Sequence, residues 1–273
     1  MSTRRFDVHV HTTFSHDGRS PMAAYAARID EGAADGIGFA EHYEFWPGSG
    51  AKGYLDVAAY RAEVAAWREK GYSFLAGVEV DWVPEHAGEI QAALAHGGFA
   101  FVIGSVHNLT SASVSSRDTS AYRDDTVFDR IITEYGEAVT SSLTMDEFDV
   151  VGHPGVFLRH FGPEYFEGKP WLGRLKALED NLAREIAASG KLLEVNTASL
   201  FYARRETCAG PFLLERYRAY GGRAITLASD SHEAGQLRRG FTEAAQMLAR
   251  LGFDEVCLPW DREHPVPLDE FVR

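Results

Sequence analysis

Polar side chains of the kind that bind metal ions follow many of the apolar runs in this sequence. These residues are His9, His11, His42, Glu79, His107, His153, Asp230 and His232. A buried strand that ends in a histidine or a carboxylate is ordinary once. Its repetition along most of the chain suggests one shared site for several metal ions at one face of a barrel.

The spacing within the set gives further detail. His9 and His11 are two residues apart, so both imidazoles lie on the same side of an extended strand. Asp230 and His232 repeat this spacing near the end of the chain. Asp17 lies in the loop FSHDG and could fold back over the same mouth as a further ligand. Because Asp-Gly is also a common turn signal, Asp17 could instead be a turn residue.

The residue types limit the chemistry. Imidazole nitrogen and carboxylate oxygen suit Zn, Fe or Mn, and the absence of cysteine from the set argues against a closed structural zinc site. His9 and His11 could be a buried pair satisfied by the backbone, but their partners at other strand ends favour metal binding. Glu41, next to His42, points the other way, so we expect it in solvent or supporting a ligand.

Apolar strands alternate with helices throughout the chain. The predicted strands are Phe6–His11, Ile37–Ala40, Ser73–Val80, Ala100–Val106, Asp149–Gly152, Lys191–Asn196, Arg223–Ser229 and Glu255–Leu258. The predicted helices are Ser20/Pro21 to Ile29, Val57–Lys70, Tyr122–Leu143, Gly173–Ser189, Phe212–Tyr220 and Gln236–Leu251, the first capped by Ser20. Strands that are apolar throughout indicate a parallel sheet covered on both faces. Seven or eight such units without a linker favour a closed α/β barrel over residues 1–273 as a single domain. In such barrels, functional groups lie at the carboxyl ends of the strands.

Composition and net charge limit the binding partners and the cellular compartment that we expect. The 273 residues carry a net charge of −13, which disfavours nucleic acid but allows a small phosphate ester in a pocket lined by metals and arginines. Two distant cysteines, Cys208 and Cys257, fit reduced thiols in the cytoplasm. The amino terminus does not fit a secretory signal, and no apolar stretch of about 18 residues predicts a membrane span. The oligomeric state is left open.

The motifs DVHVHTTFSHDG, FAEH, GVEVD, IGSVH, VVGHP, EVNT and SDSH follow one another at the strand ends. In this order they resemble the PHP (polymerase and histidinol phosphatase) family, from Asp7 to about Glu233. The resemblance implies a distorted (β/α)7 barrel with two or three divalent ions. Carried over by motif, the ligand sets are His9, His11, Glu79 and Asp230 for one ion, Glu79, His107 and His153 for a second, and Asp17, His42 and His232 for a third.

Within that family the chain is most similar to the histidinol-phosphate phosphatases, which implies hydrolysis of L-histidinol phosphate in histidine biosynthesis. A metal-activated water would attack phosphorus, with Glu79, Asp230 and His232 as the catalytic residues. Either His232 or a water on a metal would protonate the leaving alkoxide. The residues expected to bind substrate are Arg159, Arg204, Asn196 and His160.

Two departures from the family pattern affect the substrate. Relatives often have an acidic residue where Gly155 stands, and an aromatic residue where Asn108 stands. An alternative is therefore a PHP phosphoesterase that acts on another small phosphate ester or on a nucleotide end. An alternative of another class is a metal-binding regulatory protein without catalytic activity.

Overall fold

Seven parallel strands form one sheet that follows the order of the chain. The computed structural model describes residues 4–120 and 123–272. The strands are β1 (Phe6–Val10), β2 (Gly36–Tyr43), β3 (Ser73–Asp81), β4 (Val102–Ser105), β5 (Val150–Val151), β6 (Leu192–Asn196) and β7 (Ile225–Ala228). A parallel bridge between Val10 and Ser231 joins the two edges of the sheet at their carboxyl ends. The predicted (β/α)7 barrel is confirmed.

Helices connect the strands and cover the outside of the barrel. They are α1 (Met22–Asp30), α2 (Val57–Glu69), α3 (Ala87–Gly97), α4 (Asp125–Ser142), α5 (Leu172–Ser189), α6 (Pro211–Ala219) and α7 (Phe241–Arg250). Helix α3 was not predicted. The helix predicted from Tyr122 begins at Asp125, and Tyr122 lies outside the described residues. Helix α7 begins five residues later than expected, because Ala234–Gln236 forms a separate short turn.

Ser20 does not cap helix α1, contrary to the prediction. No side chain caps this helix, which begins at Met22 after Pro21. The Ser20 hydroxyl instead accepts a hydrogen bond from the backbone N–H of Ala234, 3.0 Å away. Ser20 therefore ties the loop after β1 to the loop after β7.

A hairpin closes the amino-terminal end of the barrel. The predicted last strand, β8 (Glu255–Leu258), pairs antiparallel with β9 (Asp261–Pro267) outside the seven-stranded sheet, and the short helix α8 (Leu268–Phe271) follows. Trp260, in the turn of this hairpin, packs 5.3 Å from the ring centres of both Phe6 and Phe101. The apolar interior above it comprises Ala40, Phe101, Ile103, Val150 and Leu192.

The seam between β7 and β1 is also held by a buried carboxylate. Asp7 accepts hydrogen bonds from the backbone N–H groups of Ser229 and Arg238, at 3.0 and 2.8 Å.

Within the described part of the chain, no helix combines the length and apolar character needed to cross a bilayer.

Candidate metal centre

Glu79 lies at the centre of a cluster formed at the carboxyl ends of the strands. Its Oε1 is 2.6 Å from Nε2 of His153 and 3.1 Å from Nε2 of His107. Its Oε2 is 2.9 Å from Nδ1 of His42 and 3.4 Å from Nε2 of His9. One buried carboxylate therefore faces imidazoles supplied by four different strands or the residues that follow them.

Strand register explains much of this convergence. The pairing of β2 with β3 places His42 directly beside Glu79. His9 and His11 leave β1 on the same side, as their spacing predicts, and Nε2 of His11 lies 3.7 Å from Glu79 Oε2. Both histidines are fully buried.

Asp230 brings the end of β7 into the same cluster. Its Oδ1 lies 3.3 Å from Nε2 of His11, 3.9 Å from Nε2 of His9 and 3.6 Å from Nδ1 of His232. The backbone of Asp230 is in the left-handed region, with φ of 53°, and that of His153 has φ of 25°. Non-glycine residues occupy this region at an energetic cost, and such strain is concentrated at functional sites.

Asp17 reaches the cluster from the loop after β1. Its Oδ2 is 3.2 Å from Nε2 of His232, and its Oδ1 is 3.5 Å from Nε2 of His42. The loop folds back tightly, since a Cβ at Gly18 would lie only 1.8 Å from the carbonyl oxygen of Thr12. Asp17 thus faces two imidazoles from its place in a turn.

Several buried polar side-chain atoms in the cluster make no hydrogen bond. They are Nε2 of His9, Nε2 of His11, Nδ1 of His42, Nδ1 of His153 and Oε2 of Glu79. Buried polar atoms are rarely left unpaired, because their desolvation costs free energy. Histidine nitrogens and carboxylates are also the ligand types of Zn, Mn and Fe sites. The residues therefore fit divalent metal ions.

Overlapping groups of three residues have ligand atoms close enough to share one ion. They are His9/His11/Asp230, His11/His42/His232, His42/Glu79/His107 and Glu44/Asp81/His107. The first agrees with the ligand set expected from the family motifs. His42, expected with Asp17 and His232, also lies within reach of Glu79 and His107. The last group includes Glu44 and Asp81, which sequence reasoning did not select.

Glu194 on β6 supports two of the histidines, and sequence reasoning gave it no role. Its Oε1 accepts a hydrogen bond from Nδ1 of His9 at 2.9 Å, and its Oε2 accepts one from the backbone N–H of His153 at 2.9 Å. Asn196 donates to Glu194 at 2.9 Å and to Asp230 at 3.3 Å. A carboxylate behind a metal-binding histidine fixes the ring and leaves its other nitrogen free for a metal. The sequence signal that could have identified Glu194 is the EVNT motif, which begins with this residue.

Glu41 plays a similar part behind β1 and β2. It is fully buried and accepts hydrogen bonds from the Thr12 backbone N–H at 3.0 Å and from the Ser15 hydroxyl at 2.6 Å. Ser15 in turn lies 3.1 Å from Nδ1 of His11 and accepts from the backbone N–H of His42 at 2.9 Å. Glu41 therefore faces away from Glu79 and positions ligand residues through Ser15.

The charges of the cluster depend on one another. Burial alone would raise the pKa of Glu79, but His107, His9 and His42 lower it well below its usual range. Burial likewise lowers the pKa of His107, yet the Glu79 carboxylate raises it to about 9. The pKa of His11 is well below the usual value because of burial and the neighbouring His42 and His232. The Glu79 carboxylate is thus ionised, as metal binding requires.

Two cavities that share part of their lining open at the cluster. The larger, of about 830 Å³, contains the arginine side chains Arg19, Arg117, Arg159 and Arg239. The second, of about 570 Å³, is lined by Glu44, Trp46, Asn108 and the loop 109–113. Asp17, Arg159, Asp230 and His232 line both. The cluster therefore borders an arginine-rich lobe and a second lobe that contains Glu44 but has Arg159 as its one arginine.

Of the residues expected to bind substrate, Arg159 and His160 line the larger cavity. Arg159 donates to the carbonyl of Ser115 and lies 5.1 Å over the ring of Tyr202. Burial, together with Arg159 and Arg117, lowers the pKa of His160 to about 4, so its ring is neutral near pH 7.

The structure does not bring Arg204 and Asn196 to these cavities. Arg204 pairs with Glu206 at 2.7 Å and lies over the ring of Phe166, so its charge is used in the neighbouring loop. Asn196 is fully buried behind Asp230 and holds that carboxylate. The structure thus places Arg204 and Asn196 away from both cavities, because sequence position alone does not give side-chain direction.

Comparison with known proteins decides the family. The model of the PHP domain family matches residues 7–198. The chain belongs to the PHP domain family. The structure adds that Asp230 and His232, beyond the matched residues, belong to the same cluster.

The chain is similar over most of its length to proteins named histidinol-phosphatase. It is 24% identical to the histidinol-phosphatase of Lactococcus lactis subsp. lactis, over 93% of each chain. It is 22% identical to a probable histidinol-phosphatase of Thermotoga maritima, over 91% of this chain and 93% of that one. A crystal structure of the histidinol phosphate phosphatase from Lactococcus lactis, complexed with Zn, L-histidinol and phosphate, has a TM-score of 0.79 and 22% identity, covering 97% of this chain and all of that one. At this identity the structural likeness establishes the fold.

Proposed function

We propose that this PHP protein is a metal-dependent phosphomonoesterase that hydrolyses L-histidinol phosphate to L-histidinol and phosphate. The observation that carries the proposal is the convergence of imidazoles from several strands on Glu79. Relatives named histidinol-phosphatase that match over nearly their whole length support the substrate. We assign residues 1–273 to one catalytic domain, and the cytoplasm as its location remains a prediction.

Two or three divalent ions would be held by the ligand sets expected from the family motifs. The proposed ligands are His9, His11, Asp17, His42, Glu79, His107, His153, Asp230 and His232. Glu79 would bridge two of the ions, since its two oxygens face different imidazoles. Bound divalent ions would supply Lewis acidity and an activated water nucleophile.

The side chains of the protein would bind and orient the ester. We propose that Arg159 binds phosphate, because it lines both cavities and a guanidinium matches two phosphate oxygens. The neutral His160 beside it could donate or accept a hydrogen bond without adding charge. The Nδ1 of His232 lies 3.0 Å from the carbonyl oxygen of Asp230 and its Nε2 faces Asp17. With both nitrogens engaged, His232 serves as a ligand and not as the donor of a proton to the leaving alkoxide.

The test is phosphate release from L-histidinol phosphate by protein loaded with Zn, Mn or Fe. We expect a kcat/KM well above that for generic phosphomonoesters such as phenyl phosphate. Equal activity on all esters would refute the substrate assignment but leave the phosphomonoesterase assignment standing.

The arginine-rich cavity favours a second candidate, a phosphoesterase that acts on a different small phosphate ester or a nucleotide end. Arg117 and Arg239 are exposed at this cavity, and one phosphate group does not require so many guanidinium groups. The two departures from the family pattern, at Gly155 and Asn108, do not support a different substrate. Gly155 has φ of 93°, which favours glycine over an acidic residue, and the Asn108 amide donates to Asp81 at 2.7 Å. A panel of phosphate esters and short oligonucleotides distinguishes the candidates, and preference for an oligonucleotide would favour the second.

A further inference from the structure

Glu44 is a buried carboxylate at the side of the metal centre that faces away from most of the arginines. It is 7% exposed and lines the smaller cavity with Trp46. Among residues 4–120 and 123–272, no group donates a hydrogen bond to it. Its contacts with imidazoles are long, at 3.8 Å from Nδ1 of His42 and 3.9 Å from Nδ1 of His107, and a carboxylate oxygen of Asp81 lies within 4.8 Å.

This arrangement differs from that of the other buried carboxylates beside the ligands. Glu194 and Glu41 each accept short hydrogen bonds that hold ligand residues in place. Asp81, behind Glu44, accepts from the His107 backbone N–H at 2.8 Å and from the Asn108 amide at 2.7 Å. Glu44 alone among these has no such structural partner in the described chain.

A buried carboxylate that opens only toward a cavity requires a donor or a cation from that cavity, because an uncompensated buried charge is costly. The mouth of this cavity is shared with Arg159, which we assign to the phosphate. The indole of Trp46 lines the same cavity and offers an aromatic face, which attracts an organic cation. Phosphate and cation would therefore be held on different sides of the ligand cluster.

We propose that Glu44 binds the primary ammonium group of the substrate and selects phosphate esters that carry an amine close to the ester oxygen. This inference rests on the proposed function, since L-histidinol phosphate has its amine on the second carbon from the ester oxygen and its imidazole farther away. Glu44 lies beside the ligand atoms themselves, so it can be reached by the nearer of these two groups. The imidazole would then extend toward Trp46 and the loop 109–113.

The experiment compares the wild type with Glu44→Gln on two esters, L-histidinol phosphate and 3-(imidazol-4-yl)propyl phosphate, which lacks the amine. We expect kcat/KM for L-histidinol phosphate to fall roughly 10- to 100-fold, the range for a hydrogen bond to a charged group. For the ester without the amine we expect little change. Metal content by elemental analysis should equal that of the wild type.

The matched control is Glu233→Gln, which removes a carboxylate from the opposite lobe, where it pairs with Arg19. It should leave the ratio of the two kcat/KM values unchanged. Equal losses on both esters with Glu44→Gln would indicate a role in the chemistry, and loss of a metal would indicate a ligand. Either result would overturn the inference. The same holds if Glu44→Gln leaves the ratio of the two kcat/KM values unchanged.

Failure of the proposed function would give a different pattern. A wild type that prefers phosphoethanolamine to L-histidinol phosphate would refute histidinol phosphate as the substrate. Glu44 would then be judged on phosphoethanolamine against ethyl phosphate, where Glu44→Gln should again reduce only the reaction of the amine. A wild type without preference for an amine in either pair would overturn the inference about Glu44.

Discussion

At the scale of single residues, Glu79 is the side chain that most of the clustered imidazoles face. Its two oxygens face imidazoles from β1, β2 and the ends of β4 and β5. Neutralising this side chain would leave two cations without their common counter-charge. The effect should therefore be larger than that of losing one peripheral ligand such as Asp17.

We expect Glu79→Gln to lose activity by several orders of magnitude and to retain fewer metal ions. The measurements are phosphate release and metal content per chain. His96→Ala is the control, because this histidine is exposed on helix α3 and should leave turnover nearly unchanged. Near-normal turnover of Glu79→Gln would show that Glu79 does not bridge metals.

Glu194 offers a second test at this scale. Glu194→Gln keeps the shape of the side chain but weakens the hydrogen bond to Nδ1 of His9. Because such supporting carboxylates orient a ligand, we expect metal affinity to fall about 10- to 100-fold. Competition with a chelator measures the affinity, and an unchanged value would argue against a positioning role.

The meeting of these histidines and carboxylates could be predicted because most of them follow a recognisable apolar strand. Asp17 could be included only through its motif, since its loop folds back in three dimensions. Glu44 could not be assigned a role from sequence, and the EVNT motif marked Glu194 without showing which side chains it contacts. Their significance depends on which side chains of other strands they face, and the order of residues along one strand does not give that information.

At the scale of elements, the seven strands were predictable because they are continuous buried apolar segments. Helix α3 was missed; the chain enters it directly through the short turn Pro84–His86. The hairpin of β8 and β9 was missed because β9 is largely exposed and contains two prolines.

The hairpin leads to a prediction about stability. Trp260→Ala would remove the ring that packs on Phe6 and Phe101 at the closed end of the barrel. We expect the free energy of unfolding to fall by about 3 kcal/mol, since large-to-alanine changes in a core leave a cavity. Chemical denaturation measures this change.

The metal centre lies at the other end of the strands, so Trp260→Ala should not change kcat/KM at 25 °C. Trp260→Phe is the milder companion and should lose less stability. A large drop in turnover in the folded Trp260→Ala protein would mean that the two ends of the barrel are coupled.

At the scale of the whole molecule, protonation and metal binding compete for the same side chains. In metal-free protein the pKa of His107 is raised to about 9, so its charged form stabilises the fold. That contribution is fully present below the unfolded pKa near 6.5 and is lost as the pH rises through 9. Metal binding needs the neutral imidazole, so metal affinity rises over the same window.

We therefore expect the stabilisation given by metal to increase from pH 6.5 to pH 9. Stability of chelator-treated protein should decline over this range, by on the order of 3 kcal/mol from His107. Thermal unfolding with and without added metal, at several pH values, measures both trends. A difference in Tm that narrows with rising pH would contradict the expectation.

The seam between β1 and β7 has a further consequence for how the protein is made. The Val10–Ser231 bridge joins two pairs of residues. His9 and His11 flank Val10, and Asp230 and His232 flank Ser231. During synthesis the first pair leaves the ribosome long before the second, so the early chain can bind metal only through an incomplete ligand set. Closing so long a loop carries an entropic cost that the metal ions would help to offset. Full loading with the proposed metal ions would therefore come at the end of folding, and a chain truncated before Asp230 should be unable to retain the complete set.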